Sequence, residues 1–243
     1  MCLVGACLTM IALDGNNGMF PIAYYIGLSE DTLNWRRFLQ DMHPYVSSHP
    51  EPLTFMSDRQ KGLIEAVTEV FPNSYQRFCF RHMVKNLRTR FRGVDHIVWA
   101  AARAYRESDF QRHMEELEQM DKKAANYMAV EPAGLWARAY FSTKACSDHN
   151  TNNFTECFNS YILEARDKPI VSLVLKIQTL FMKLIFHRNN LCSGWNDNGL
   201  APRVEMELQK IEAMTFDYDV GGASAFVFQV DHKKSGQWFT VDL

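Results

Sequence analysis

"LTFMSDRQKGLIEAVTEVF", residues 53–71, decides the fold class. It opens as an apolar run from Leu53 to Met56 and turns polar at Ser57, Asp58 and Arg59. Leu63, Ile64, Val67, Val70 and Phe71 then recur at helical spacing. A short apolar run followed by this periodicity is a strand feeding an amphipathic helix, which Pro72 closes. Asp58 stands at the carboxyl end of the strand, where open α/β sheets bind their ligands. Two roles are open to it: an N-cap, for which Asp is a preferred residue, or a metal ligand.

Upstream, "LVGACLTMIAL" (3–13) and "MFPIAYYIGL" (19–28) flank "DGNNG", which is dense in turn residues. This predicts a hairpin whose strands, apolar on both faces, sit near the middle of a covered sheet. Trp35, Phe38, Leu39 and Met42 then predict an amphipathic helix stopped by Pro44. Downstream, "SYQRFCF" (74–80) suits another strand. A long helical region follows from Arg81 to Met128, with a break near Gly93, and further helices cover Asn153–Ala165 and Ile170 to about Leu191. "GWNDNG" interrupts, and "FVFQVDHKKSGQWFTVDL" reads as two strands around a Gly turn. The order β-β-α-β-α-β followed by helices predicts an α/β domain with an all-α insertion. Its parts are a first core segment (1–92), the insertion (93–150), the last core helices (151–192) and a C-terminal β segment (193–243).

The 26 Lys+Arg against 28 Asp+Glu leave a formal charge of −2, so any nucleic-acid signal must be local. The six cysteines contain no CxxC pair, which points to a reduced intracellular compartment. The apolar start lacks a basic n-region, and no apolar run approaches the ~20 residues a membrane helix needs. The sequence therefore predicts a soluble cytosolic or nuclear protein with no membrane partner.

Four features could carry chemistry besides Asp58. Glu156 lies in "TNNFTECFNSYILEAR", where Phe154, Phe158, Tyr161, Ile162 and Ala165 make an apolar stripe. Asn152, Glu156, Asn159 and Ser160 share another face, and a carboxylate among amides suits a hydrated metal site. Asn153 to Glu156 equally resembles a capping box. Cys79 and His82 form a C-x-x-H pair, and Cys146 with His149 forms another. The 63-residue interval between His82 and Cys146 fits no usual zinc module, so buried structural roles are favoured. Finally, Arg77 to Arg92 holds six Lys+Arg and no acid. In helical register Arg81, Lys85, Arg88 and Arg92 share one face, beside Phe80, Val84, Leu87 and Phe91. That pattern suits phosphate contact or a solvated helix face.

Taken together these segments resemble the transposases of plant Mutator-like elements (MULE) and the far-red-response transcription regulators derived from them. The stretches "DGNNGMFPIAYYIG", "SDRQKGLIEAVTEVFPNSYQRFCFRHMVKNLRTRF", "WARAYFS", "DHNTNNFTECFNSYILEARDKPIV" and "QWFTVDL" carry the likeness in the family's order. One departure is Ser147, where such proteins usually carry a Cys before the Asp. The resemblance implies a ribonuclease H-like fold with a helical insertion, and three carboxylates holding two Mg²⁺ or Mn²⁺ ions for DNA cleavage and strand transfer. Asp58 matches the second Asp and Glu156 the Glu, while Cys79 and His82 match the element between them. The family's first Asp lies on a strand ahead of the hairpin that opens this chain, and Asp14 falls at the wrong sheet end to replace it. "FTVDL" resembles the strand leading to a SWIM-type zinc module.

The expectation is thus a piece of a nuclear DDE transposase, inactive as this chain, with DNA as partner and a homo-oligomer as one form. The alternative is a domesticated, non-catalytic regulator that binds DNA or protein.

Overall fold

In the computed structural model, the described residues are 5–145, 147–163, 168–222 and 224–242. The first unit spans residues 1–11 and 21–177, and the second 12–20 and 178–243.

The first unit starts with the body of a hairpin, β1 (Ala6–Leu13) and β2 (Met19–Gly27). Helix α1 (Thr32–Val46) follows, its N-cap Asp31 accepting from the Asn34 amide. Strand β3 (Thr54–Ser57) leads to α2 (Lys61–Val70), and β4 (Tyr75–Phe78) pairs with β3 in parallel. Leu8 of β1, Trp35, Phe38 and Leu39 of α1, and Ala66 and Val67 of α2 form one buried cluster, against which Tyr25 and Phe55 pack. Both two-stranded sheets therefore share a helical cover, although β1 and β3 are not paired.

Helix α3 (Phe80–Arg88) buries Phe80, Met83, Val84 and Leu87. It packs on α4 (Asp95–Arg103), α5 (Glu107–Met120) and α6 (Lys122–Ala129), with Val98, Leu117, Met128 and Trp136 in the same core. Three short 3₁₀ turns lead on to α7 (Asn153–Tyr161). Helix α8 (Ile170–Cys192) begins in this unit, where Leu173 and Ile177 are buried.

The second unit holds the hairpin tip, the rest of α8, α9 (Pro202–Thr215) and an antiparallel meander. Its strands are β5 (Tyr218–Gly222), β6 (Val227–His232) and β7 (Trp238–Asp242), in that order. Asp14 folds back on its own turn, accepting from the Asn16 and Gly18 amides, and is ion-paired with Arg188.

The mixed α/β class holds, and several details differ from the sequence expectation. The hairpin stands as a two-stranded sheet, and of β1 only Leu8 is buried, so it is not the middle of a covered sheet. Pro44 lies inside α1. The carbonyl it leaves unpaired belongs to exposed Gln40, where water can serve it. The region from Arg81 to Met128 is four helices, because Thr89 and the positive-φ Gly93 end α3 and two further loops intervene. Tyr161 is exposed, outside the apolar stripe of α7, and Ala165 and Cys146 lie outside the described residues. Strand β5 and helix α9 are additions. A further correction concerns α8: it is 23 residues long, and an 18-residue window of mean hydropathy 1.6 makes it long and apolar enough, by length and composition, to cross a membrane. Lys176 and Lys183 divide it into runs that look short one by one.

Candidate nucleic-acid interface

The parallel pairing of β3 with β4 positions the cleft. The Ser57 carbonyl accepts from the Cys79 amide at 2.7 Å, which extends the ladder one residue past β4. Cys79 becomes the N-cap residue of α3, 1% exposed, and its sulfur accepts from the Asn152 amide at 3.4 Å. The Phe80 amide donates to the Asn150 carbonyl at 2.8 Å. These contacts dock the 150–153 segment against the start of α3, so α7 enters with Glu156 beside Arg81.

An open cleft of about 820 Å³ results. Arg81, His82, Lys85 and Arg88 of α3, Trp99 and Arg103 of α4, and Glu156 of α7 line it, with Asn150, Thr151 and Asn153. Four cations face one carboxylate. Arg81 Nη1 lies 3.1 Å from Glu156 Oε2 and donates to Asn153 Oδ1 at 3.0 Å. His82 Nε2 lies 3.8 Å from Glu156 Oε1. Arg88 is paired with Asp95 at 2.6 Å. The Arg103 guanidinium sits 4.5 Å from the Trp99 ring centroid. Neither Lys85 nor Arg103 makes an ion pair among the described residues, so both charges are available to an anion.

Behind the cleft, Arg77 of β4 is 3% exposed. It donates to the Ser147 carbonyl at 2.8 Å and the Ser142 carbonyl at 3.4 Å, and stacks 3.9 Å from the Phe141 centroid. Burial pushes its pKa down, partly offset by nearby Asp148. Burial would raise the pKa of Asp148, yet the Tyr105 hydroxyl at 2.9 Å, Arg138 and His149 hold it below its ordinary value. These interactions fix the chain segment that delivers Asn150 and α7.

The structure thus brings Arg81, His82, Lys85, Arg88 and Glu156 together. Arg92 is a correction: α3 ends at Arg88, so Arg92 has no place on its basic face or in the cleft lining. Cys79 is buried beneath the cleft, and Asp58 is not among the lining residues. Asp58 is not the cap of α2 either. Gln60 caps that helix, accepting from the Leu63 amide, while Asp58 accepts from the Gln60 amide at 3.3 Å. The capping box at α7 is likewise absent, because Asn152 is the N-cap residue and Glu156 turns to Arg81. Sequence reasoning missed Arg103 and Trp99. Their i, i+4 spacing in "WAAAR" marks one helix face, but nothing local shows that it opposes α3.

A divalent ion of the Mg²⁺ type needs several hard oxygen ligands in near-octahedral array. The cleft offers one carboxylate, already engaged by a guanidinium, and no group of three His, Cys, Asp or Glu among the described residues could hold a metal. As arranged, this donor set does not fit such an ion. What the cleft offers is a concave, positively charged surface with a partly covered indole in its wall.

An α/β unit carrying a basic cleft is the class that fold and site define. Residues 3–86 match the family model of the MULE transposase domain. The matched stretch takes in β1 to β4, α1, α2 and α3 as far as Asn86, with Asp58, Cys79, Arg81, His82 and Lys85; Glu156 lies outside it. No curated protein matches the chain.

Proposed function

We propose that this chain is a transposase-descended DNA-binding protein and that the α3–α4–α7 cleft takes the phosphodiester backbone. The observation that carries this is the convergence of Arg81, Lys85, Arg88 and Arg103 in one open cleft, in a chain whose formal net charge is −2. Lysine and arginine that neutralise phosphates release condensed counterions, which supplies affinity without sequence preference. Contacts of this kind orient a protein on the duplex.

Ancestry in a ribonuclease H-like, metal-dependent catalytic domain agrees with the family match and with the parallel β3–β4 pair, whose first strand ends one residue before Asp58. The cleft as built favours the non-catalytic use, of the kind that the far-red-response regulators represent. The test is a labelled 20-base-pair duplex titrated in EDTA. Binding without metal, weakened at least several-fold by Lys85→Glu, supports the proposal. Undetectable binding at low salt refutes it. Incubation of supercoiled DNA with Mn²⁺ should leave the DNA intact, and nicking that Asp58→Asn abolishes would restore the catalytic role.

A further inference from the structure

We infer that the corner made by Arg81 and Asn153 is a phosphodiester subsite and that the Glu156 carboxylate is its resident substitute. The inference rests on the DNA-binding proposal above and adds a regulated position within the same cleft.

Arg81 Nη1 is held at 3.1 Å from Glu156 Oε2 and 3.0 Å from Asn153 Oδ1. The carboxylate is therefore directed at a fixed cation, and its second oxygen lies 3.8 Å from His82 Nε2. A carboxylate and a phosphate present the same face to a guanidinium: anionic oxygens spaced to accept from its N–H groups. The Arg81 and Glu156 side chains are 56% and 39% exposed, so a phosphate can replace the carboxylate without opening the core. Ion pairs at such exposure hold weakly. Lys85 and Arg103 in the same lining have no carboxylate partner among the described residues and would bring a backbone to the corner. Glu156 thus occupies the subsite and withholds one of four cations from the DNA backbone, an internal restraint on non-specific affinity.

The experiment measures duplex affinity by fluorescence anisotropy in EDTA across a salt series. It compares the wild type with Glu156→Gln, Glu156→Ala, Arg81→Gln and the double variant Arg81→Gln/Glu156→Gln. Freeing Arg81 adds one phosphate contact, so Glu156→Gln and Glu156→Ala should each bind several-fold tighter and steepen the log–log salt slope by about 0.9. Arg81→Gln alone should change the slope little, and the double variant should lose the gain. A slope unchanged in both Glu156 variants, or a gain that survives loss of Arg81, overturns the subsite while leaving the DNA proposal standing. Failure of wild type and Glu156 variants alike to bind duplex overturns both. A Glu156 acting as a cation ligand predicts the reverse sign: weaker DNA binding on substitution, seen only with Mg²⁺ present.

Discussion

Arg77→Met is the perturbation that most directly tests how the cleft is held. The residue is 3% exposed, its guanidinium bridges the Ser147 and Ser142 carbonyls, and its flat face covers Phe141 at 3.9 Å. Methionine keeps much of the apolar stem and removes every polar contact. A hydrogen bond from a charged donor contributes roughly 1.5–3 kcal/mol, and a desolvated cation–π contact about 1–2 kcal/mol. The 3.4 Å bond to Ser142 adds little. Opposing this, the substitution relieves the cost of burying a charge that has no carboxylate in salt-bridge range among the described residues, and such relief can offset much of the gain. Exposed Ser147 can turn its carbonyl to water, which lowers the loss further. The balance is a destabilisation of about 2 kcal/mol. With a urea dependence of roughly 2 kcal/mol per molar, the midpoint should fall by about 1 M. Urea unfolding followed by far-UV circular dichroism at pH 7 reads this directly. A midpoint that is unchanged or raised would refute the claim that Arg77 anchors the 141–148 segment.

Three further outcomes are expected. Leu87→Ala removes a fully buried side chain beneath the basic face of α3 and should destabilise by about 2–5 kcal/mol in urea, weakening DNA binding only in proportion to unfolding. Asp148 has its pKa lowered in the fold, so its stabilisation is complete above its ordinary 3.8 and is lost as pH falls through the lower folded value. Because the side chain is about half exposed, the effect is screened to under about 1 kcal/mol, and the wild type's advantage over Asp148→Asn should vanish at the acid end of a pH series of melting curves. Arg103→Ala uncovers the Trp99 ring and removes one cation, so it should red-shift tryptophan emission and flatten the salt slope of DNA binding by about 0.9.

What was legible in the sequence were patterns that local periodicity controls. Trp35, Phe38 and Leu39 are buried as the helical spacing requires, and Phe80, Val84 and Leu87 sit beneath Arg81, Lys85 and Arg88 as the paired stripes imply. Arg92 failed because a stripe assumes that the helix continues, whereas Gly93 at φ +79° and the preceding turn end it at Arg88. The capping roles of Asp58 and Glu156 failed because caps are decided by a residue or two of boundary, and Gln60 and Asn152 took the positions. Strand β5 was hidden because "YDVGG" has no strand pattern of its own. It is a strand because Tyr218 to Gly222 pair with His232 to Phe228. Helix α9 did announce itself through Pro202 in its first turn, a signal left unused. The opposition of Arg103 to α3 is tertiary, and no spacing in the chain encodes it.

The salt dependence of duplex binding by the wild-type chain in EDTA tests the cleft most directly. With Lys85 and Arg103 available and Arg88 shared with Asp95, about two to three phosphates should be neutralised. The plot of log affinity against log salt should then have a slope of roughly −2 to −3, and Lys85→Gln with Arg103→Gln should reduce it by about 1.8. A slope near zero, or one that the paired substitution leaves unchanged, would contradict DNA-backbone binding in this cleft.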